Sequence, residues 1–230
     1  MFLETICIKN GRILNIASHN ERMLKTASYF GFKAPELPDI EALLTDSFNN
    51  KLPVNFEENL RKKNNLDIHN YIYYDSNLTY NVLFESKIKC RVIYHNEIKS
   101  ISFEKYTPKK IQSLKLVKES PDYAFKFSNR NELENLLKLK DECDDILIVR
   151  SGLITDTSYS NVLFSKGNKY FTPKLPLLNG TKRQLLLSNG IINEAQISVD
   201  SINDYDRVWL INALLDIEDK ISIPVNQIFF

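Results

Sequence analysis

The chain opens on strict alternation. Phe2, Glu4, Ile6 and Ile8 fall on one side of an extended strand, and Leu3, Thr5, Cys7 and Lys9 on the other. Asn10-Gly11 supplies the two positive-φ positions of a type I′ turn, and Arg12 to Ile16 reads as the returning strand. Ser18 with Glu21 three residues later has the form of a capping box, predicting a helix from about residue 19 to Phe30 that stops at Gly31. Pro35 and Pro38 mark a loop, and Asp39 to Phe48 and Phe56 to Lys63 predict short helices. Between 70 and 106 the runs Tyr71-Ile72-Tyr73-Tyr74, Val82-Leu83-Phe84, Arg91-Val92-Ile93-Tyr94 and Ile101-Ser102-Phe103 predict antiparallel strands. Polar turns at Asp75-Ser76-Asn77 and His95-Asn96-Glu97 separate them.

Residues 105–120 are rich in lysine and contain Pro108, which reads as a solvated linker centred on 108–114. Beyond it, Tyr123, Phe125 and Phe127 alternate with Ala124, Lys126 and Ser128, predicting a strand with one aromatic face. Asn129 with Glu132 starts a helix carrying Leu133, Leu136, Leu137 and Leu139 as its apolar stripe. Next come Asp145 to Arg150, a turn at Ser151-Gly152, and a second strand through Asn161 to Phe164. Lys166-Gly167-Asn168 turns a hairpin into Lys169 to Thr172, and Pro173 to Leu178 is a loop. A helix opens near Gly180-Thr181 and closes near Gly190, and strands at Gln196 to Val199 and Arg207 to Ile211 precede a tail ending in IFF.

Thirty basic against twenty-nine acidic residues leave a net charge of +1 in 230 residues. That balance gives no footprint for nucleic acid or an anionic membrane; the 105–120 lysines are its only hint. Apolar runs such as Ile146-Leu147-Ile148-Val149 are too short to span a bilayer, and MFLETICIKN lacks a basic region ahead of an apolar stretch. A cytoplasmic protein without a signal peptide is expected. Cys7, Cys90 and Cys143 form no disulfide framework or metal clip, His19, His69 and His95 are scattered, and six glycines are too dispersed for a dinucleotide or P-loop fingerprint. No metal site is expected.

Lys126 is the residue with reactive potential. Among small neighbours on a strand whose other face carries rings, an amine must be solvated at an edge, paired, or desolvated and nucleophilic. Short motifs spread along the chain decide between these. His19-x-x-Arg22, Lys126-x-x-Asn129-Arg130, Thr155-Asp156 ahead of Ser160-Asn161, Thr172-Pro173, and Leu178-x-Gly180 ahead of Arg183 fall in the order and spacing of one family. From Phe2-Leu3-Glu4-Thr5 to Ile211-Asn212-Ala213 the chain resembles the class IV aminotransferases, the fold-type IV pyridoxal-phosphate enzymes. That family includes branched-chain and D-amino-acid aminotransferases and aminodeoxychorismate lyase.

The resemblance implies an α+β, two-domain fold like that of D-amino-acid aminotransferase. A small α/β domain would span 1–107, a linker 108–114, and a larger β-rich domain 115–230, with pyridoxal 5′-phosphate lying between the domains. It places Lys126 at the Schiff-base position. Asp156 falls where the family usually carries a glutamate for the pyridine nitrogen, one methylene longer. Arg22, Gly180, Thr181, Lys182 and Asn212 fall at phosphate contacts, where a guanidinium fork and a helix N-terminus suit a dianion. Arg91 and Tyr159 are candidates for substrate binding. Full-length relatives carry a strand and turn before the FLET segment, so a more open substrate pocket or one completed by a partner subunit is expected. A homodimer is the family expectation. The INAL stretch at 211–214 favours a lyase releasing pyruvate and p-aminobenzoate; the alternatives are an amino-acid aminotransferase and a non-catalytic relative.

Overall fold

Alternation at the chain start forms β1 (Phe2–Lys9), and Asn10 and Gly11, at φ 54° and 73°, turn it into β2 (Arg12–Ile13). The structure, a computed structural model, describes residues 1–49, 72–75, 78 and 80–230, so the helix expected at 56–63 lies outside the described residues. β2 is shorter than expected because Asn15 adopts a left-handed conformation and launches α1 (Ile16–Phe30). The capping box does not form. Ser18 Oγ donates instead to Asn15 Oδ1, and the helix starts before Ser18. It ends at Gly31, at φ 71°, whose N–H bonds the Ala27 carbonyl. In α2 (Ile40–Asn49), Asp39 Oδ1 accepts from the Ala42 N–H at the first turn.

Two strand expectations between 70 and 106 are corrected. β3 (Ile72–Tyr74) pairs in parallel with a later strand, and Val82-Leu83-Phe84 belongs to a short helix, α3 (Tyr80–Glu85). Leu78 and Val82 are four residues apart and both pack on the core, so 3.6-residue spacing prevails over β propensity. β4 (Lys87–Tyr94) and β5 (Ile98–Lys105) complete a sheet ordered β2-β1-β4-β5-β3. Its inner face, with Ile6, Ile8, Ile88, Cys90, Val92, Ile101 and Phe103, packs on Ile40, Leu43 and Leu44 of α2.

Glu4 lies on that inner side of β1 and is fully buried. Its carboxylate accepts from Arg22 Nε at 2.8 Å, from Arg22 Nη2, and from His19 Nδ1 at 2.6 Å, both partners standing on α1. Burial raises its pKa, but the Arg22 charge and the bonds from His19 and Arg22 outweigh burial and hold it at about 2. The folded pKa lies below the unfolded one of 4.5, so this carboxylate stabilises the fold above that value and loses its contribution as pH falls toward 2. Glu4→Gln should therefore cost about 3 kcal/mol at neutral pH, with the deficit closing in acid. Urea midpoints measured against pH check this; equal midpoints at pH 7 would refute it.

The chain divides into two units, Met1–Thr107 and Pro108–Phe230. The second begins with β6 (Leu114–Val117), a strand with buried Leu114 and Leu116 inside the stretch whose lysines read as linker. Tyr123–Ser128 is not a regular strand. The Phe127 N–H closes a turn on the Phe125 carbonyl at 2.9 Å and the Tyr123 hydroxyl donates to the Phe127 carbonyl at 3.0 Å, and Phe127 is the one residue of the segment in a β-bridge. Next come α4 (Asn131–Leu137), β7 (Asp145–Arg150), β8 (Leu153–Thr157), β9 (Asn161–Lys166) and β10 (Lys169–Pro173). The single strand expected to end at Phe164 is thus two strands with a turn between. α5 (Thr181–Ser188) leads to β11 (Asn193–Ala195), which replaces the strand expected at 196–199; there only Ser198 bridges, to Leu153. β12 (Arg207–Ile211), β13 (Ser222–Pro224) and β14 (Ile228–Phe229) finish the unit.

The second sheet runs β11-β10-β9-β8-β7-β6-β14, with β12 pairing β9 and β13. Tyr123, Leu133, Leu136, Ile146, Ile148 and Leu177 fill one cluster beneath it. Among the described residues no helix is long and apolar enough to cross a membrane.

Candidate active site

The second unit gathers most of the site residues read from the sequence. β8 and β9 pair through Asp156 and Asn161, which places both side chains on one face of the sheet. Thr157 to Ser160 make the connecting turn, closed by the Thr157 N–H on the Ser160 carbonyl at 2.9 Å. Asp156 is 5% exposed; its Oδ1 accepts from Asn161 Nδ2 and its Oδ2 from the Leu178 N–H, each at 2.8 Å. Asn161 Nδ2 donates its second hydrogen to the Leu178 carbonyl, again at 2.8 Å.

Burial raises the Asp156 pKa to about 6, against the opposing pull of those hydrogen bonds and of the Arg183 charge. Arg183 itself is bonded to Asn179 Oδ1, the Pro173 carbonyl and Glu194. Among the described residues, Asp156 has no lysine or arginine in an ion pair. Its folded pKa exceeds the unfolded value of 3.8, so its contribution to stability is full below that value and is lost as pH rises to about 6. The apoprotein should lose about 3 kcal/mol from this group across that window, and Asp156→Asn should flatten that part of the profile. Thermal melts of both proteins from about pH 3.5 to 7 test it; parallel profiles would overturn it.

Two residues beyond Leu178, Gly180 is the N-cap of α5. It is a glycine for want of space, since a Cβ there would stand 2.1 Å from Asn161 Oδ1. Glycine supplies no side-chain cap here, and the positive end of the helix dipole lies at this end of α5. Thr181, the next residue, is buried.

Lys182 is turned away from that role. Its Nζ pairs with Asp216 Oδ2 at 2.5 Å, and Asp216 also caps the short turn at Ile217–Asp219. Asn212, expected at the phosphate, organises its own turn: Oδ1 accepts the Leu214 and Leu215 N–H groups at 2.8 and 3.0 Å, and Nδ2 donates to Ser160 Oγ at 3.2 Å.

Lys126 is half-buried in the irregular segment before α4. The Arg130 guanidinium, four residues further on, donates to the Ser158 carbonyl in the turn after Asp156. Asn129 Oδ1 accepts the Asn131 N–H at 2.9 Å and holds the start of α4. The Lys126-x-x-Asn129-Arg130 motif therefore fastens the lysine's segment to the loop that carries Tyr159. Tyr159 lies beneath Lys109, whose Nζ stands 5.2 Å from the ring centroid.

Arg22 and Arg91 belong to the first unit. Arg22 is the fork bound by Glu4. Arg91 stands on β4 across from Thr5 on β1 and Ser102 on β5, with an enclosed Nε that has no hydrogen-bond partner among the described residues. Reading the sequence gave no organising role to Glu4, Asn161, Arg130 or Asp216. Asn161 and Arg130 stood in the short motifs and Glu4 was a carboxylate in the apolar register of β1; Asp216 left no signal.

Residues 1–219 match the family model for amino-transferase class IV. An uncharacterized protein of Haemophilus influenzae is 29% identical over 92% of this chain and 96% of its own. Among solved structures, a candidate 4-amino-4-deoxychorismate lyase of Haemophilus somnus superposes with a TM-score of 0.68 at 29% identity, covering 93% of this chain and 95% of its own. A candidate amino-acid aminotransferase of Mesorhizobium loti gives 0.65 at 19% identity over 97% of both chains. An aminotransferase of Brucella abortus bound to the cofactor PLP gives 0.62 at 16% identity, covering 99% of this chain and 80% of its own.

Proposed function

The chain belongs to the class IV amino-transferases, a family of pyridoxal-phosphate enzymes, and from that premise we propose that it is an aminodeoxychorismate lyase, releasing pyruvate and p-aminobenzoate. The observation that carries the cofactor assignment is Asp156. A buried carboxylate with raised pKa, held by hydrogen bonds from Asn161 and the Leu177–Leu178 backbone and with no ionic partner among the described residues, is matched by a protonated ring nitrogen. The start of α5, whose N-cap Gly180 supplies no side-chain cap, is likewise suited to a phosphate. The residues present therefore fit the group. Preference for the lyase rests on the likeness to the Haemophilus somnus protein across nearly the whole of both chains.

When bound, pyridoxal phosphate supplies a conjugated electron sink for charge that builds at the substrate carbon bearing the amino group. The protein supplies the rest. Lys126 Nζ would hold the cofactor through its aldehyde and would accept or return a proton at the substrate carbon bearing the amino group. Arg130 keeps the lysine's segment registered to the 157–160 turn by bonding Ser158. Asp156 would hold the protonated ring nitrogen, and the start of α5 at Gly180 would hold the phosphate; Arg22, proposed from its motif as a phosphate contact, has its guanidinium bound to Glu4. Arg91 is proposed to bind a substrate carboxylate, a role supported by its enclosed Nε, which has no hydrogen-bond partner among the described residues, and Tyr159 is proposed separately as a substrate contact. The proposal extends to a homodimer in the cytoplasm, and light scattering of the holoprotein tests the dimer.

The likeness to the Mesorhizobium loti protein supports a second reading, transamination of an amino acid. Incubation with aminodeoxychorismate, beside a panel of L- and D-amino acids with keto-acid acceptors, separates the two. Release of p-aminobenzoate supports the lyase, keto-acid formation the aminotransferase, and silence in both rejects both.

A further inference from the structure

We propose that Asn161 is the positioning residue that fixes the Asp156 carboxylate toward the cofactor ring nitrogen while setting its place relative to the start of α5. The inference rests on the reading of Asp156 above. Asn161 has two amide hydrogens, and both are used: one on Asp156 Oδ1, the other on the Leu178 carbonyl. The Leu178 N–H returns to Asp156 Oδ2, so carboxylate, amide and peptide close a ring of three hydrogen bonds. This pattern fixes the amide orientation, because a flipped amide would set its oxygen against two acceptors.

Each carboxylate oxygen accepts one of these short bonds, the Leu177 amide adds a weaker one, and a carboxylate with about four lone-pair sites keeps acceptor capacity for a further donor. Rotation of the carboxylate about its own axis would break a bond at either end, so its plane is set before any ligand arrives. The other end of the amide, Oδ1, rests close to where a Cβ of residue 180 would lie. One side chain thus touches the carboxylate, the peptide of Leu178 and the cap of α5. A side chain present only to fill space would not need both hydrogens directed at buried acceptors, and either one left unbonded would be costly.

The test compares pyridoxal 5′-phosphate with its deaza analogue, in which carbon replaces the ring nitrogen. Dissociation constants are read by fluorescence quenching of the apoprotein. The informative quantity is the preference for pyridoxal phosphate over the analogue. Asn161→Ala should lower that preference by about tenfold, the scale of a hydrogen bond to a charged group. Asp156→Asn should lower it at least as far, and the double variant should show no further fall. A packing role alone weakens both ligands equally and leaves the preference unchanged, which overturns the inference. If Asn161→Ala does not fold, Asn161→Ser, which keeps one donor and most of the space, is measured in its place with the same expectation. If Asp156→Asn itself leaves the preference intact, the placement of Asp156 at the ring nitrogen fails. If Asp156→Asn lowers it and Asn161→Ala does not, this inference alone fails.

Discussion

Lys126→Ala should leave a folded protein that no longer fixes pyridoxal phosphate. Mixed with the cofactor, it should lack the visible band that a lysine-bound aldehyde gives, and borohydride should attach nothing to the chain. Turnover should fall by about 10⁴-fold or more, because in the proposed reaction one amine both holds the cofactor and carries the proton. The fold should barely respond. Lys126 is half-buried in an irregular segment whose anchors are other residues, Tyr123 through its hydroxyl and Arg130 through Ser158, so stability should stay within about 0.5 kcal/mol of the parent. Lys126→Arg separates charge from nucleophilicity. Guanidinium keeps the positive charge but stays protonated at neutral pH, so this variant should be as inactive and as colourless as the alanine. A yellow, borohydride-sensitive Lys126→Ala protein would place the covalent chemistry on another lysine and remove the basis of the proposed reaction.

What could be read from the chain alone divides along a physical line. Features set by a residue's own backbone preference were legible. Asn10-Gly11 gave the hairpin, Gly31 ended α1, and Gly180-Thr181 opened α5. Features decided by competition for partners were not. The aromatic alternation at 123–128 has the period of a strand, but a local turn at Phe125–Phe127 and the Tyr123 hydroxyl bend the segment back on itself, and it is reduced to a single bridge at Phe127. Val82-Leu83-Phe84 has strand composition, yet the segment is helical and Val82 packs on the core of the first unit. Ser18 met the form of a cap, yet Asn15 already sat left-handed ahead of it. The site shows the same division. Spacing indicated which lysine and which carboxylate to consider. That Lys182 is bound to Asp216, and that Asn161 ties Asp156 to Leu178, depends on residues far apart in the chain and became visible only in the fold.

Gly180→Ala is expected to damage the site through that same asparagine. The backbone at 180 has φ −68° and ψ 147°, which alanine adopts without strain, so conformational preference gives no reason for glycine here. The reason is contact. The added methyl would stand 2.1 Å from Asn161 Oδ1, far inside van der Waals separation, and Asn161 is buried and tethered at its other end to both Asp156 and Leu178. Either the amide swings away, breaking hydrogen bonds to buried acceptors, or the start of α5 moves and carries the anion-binding amides with it. Each route should cost about 2–3 kcal/mol in stability, and cofactor affinity should fall at least tenfold. The two routes are distinguishable by a second substitution. If the clash is with the asparagine, Asn161→Ser in the Gly180→Ala background makes room, and the two changes together should cost less than the sum of each alone, a coupling of about 1 kcal/mol or more. Strict additivity, or a Gly180→Ala protein with parental stability and affinity, would show that glycine at 180 is not held there by Asn161.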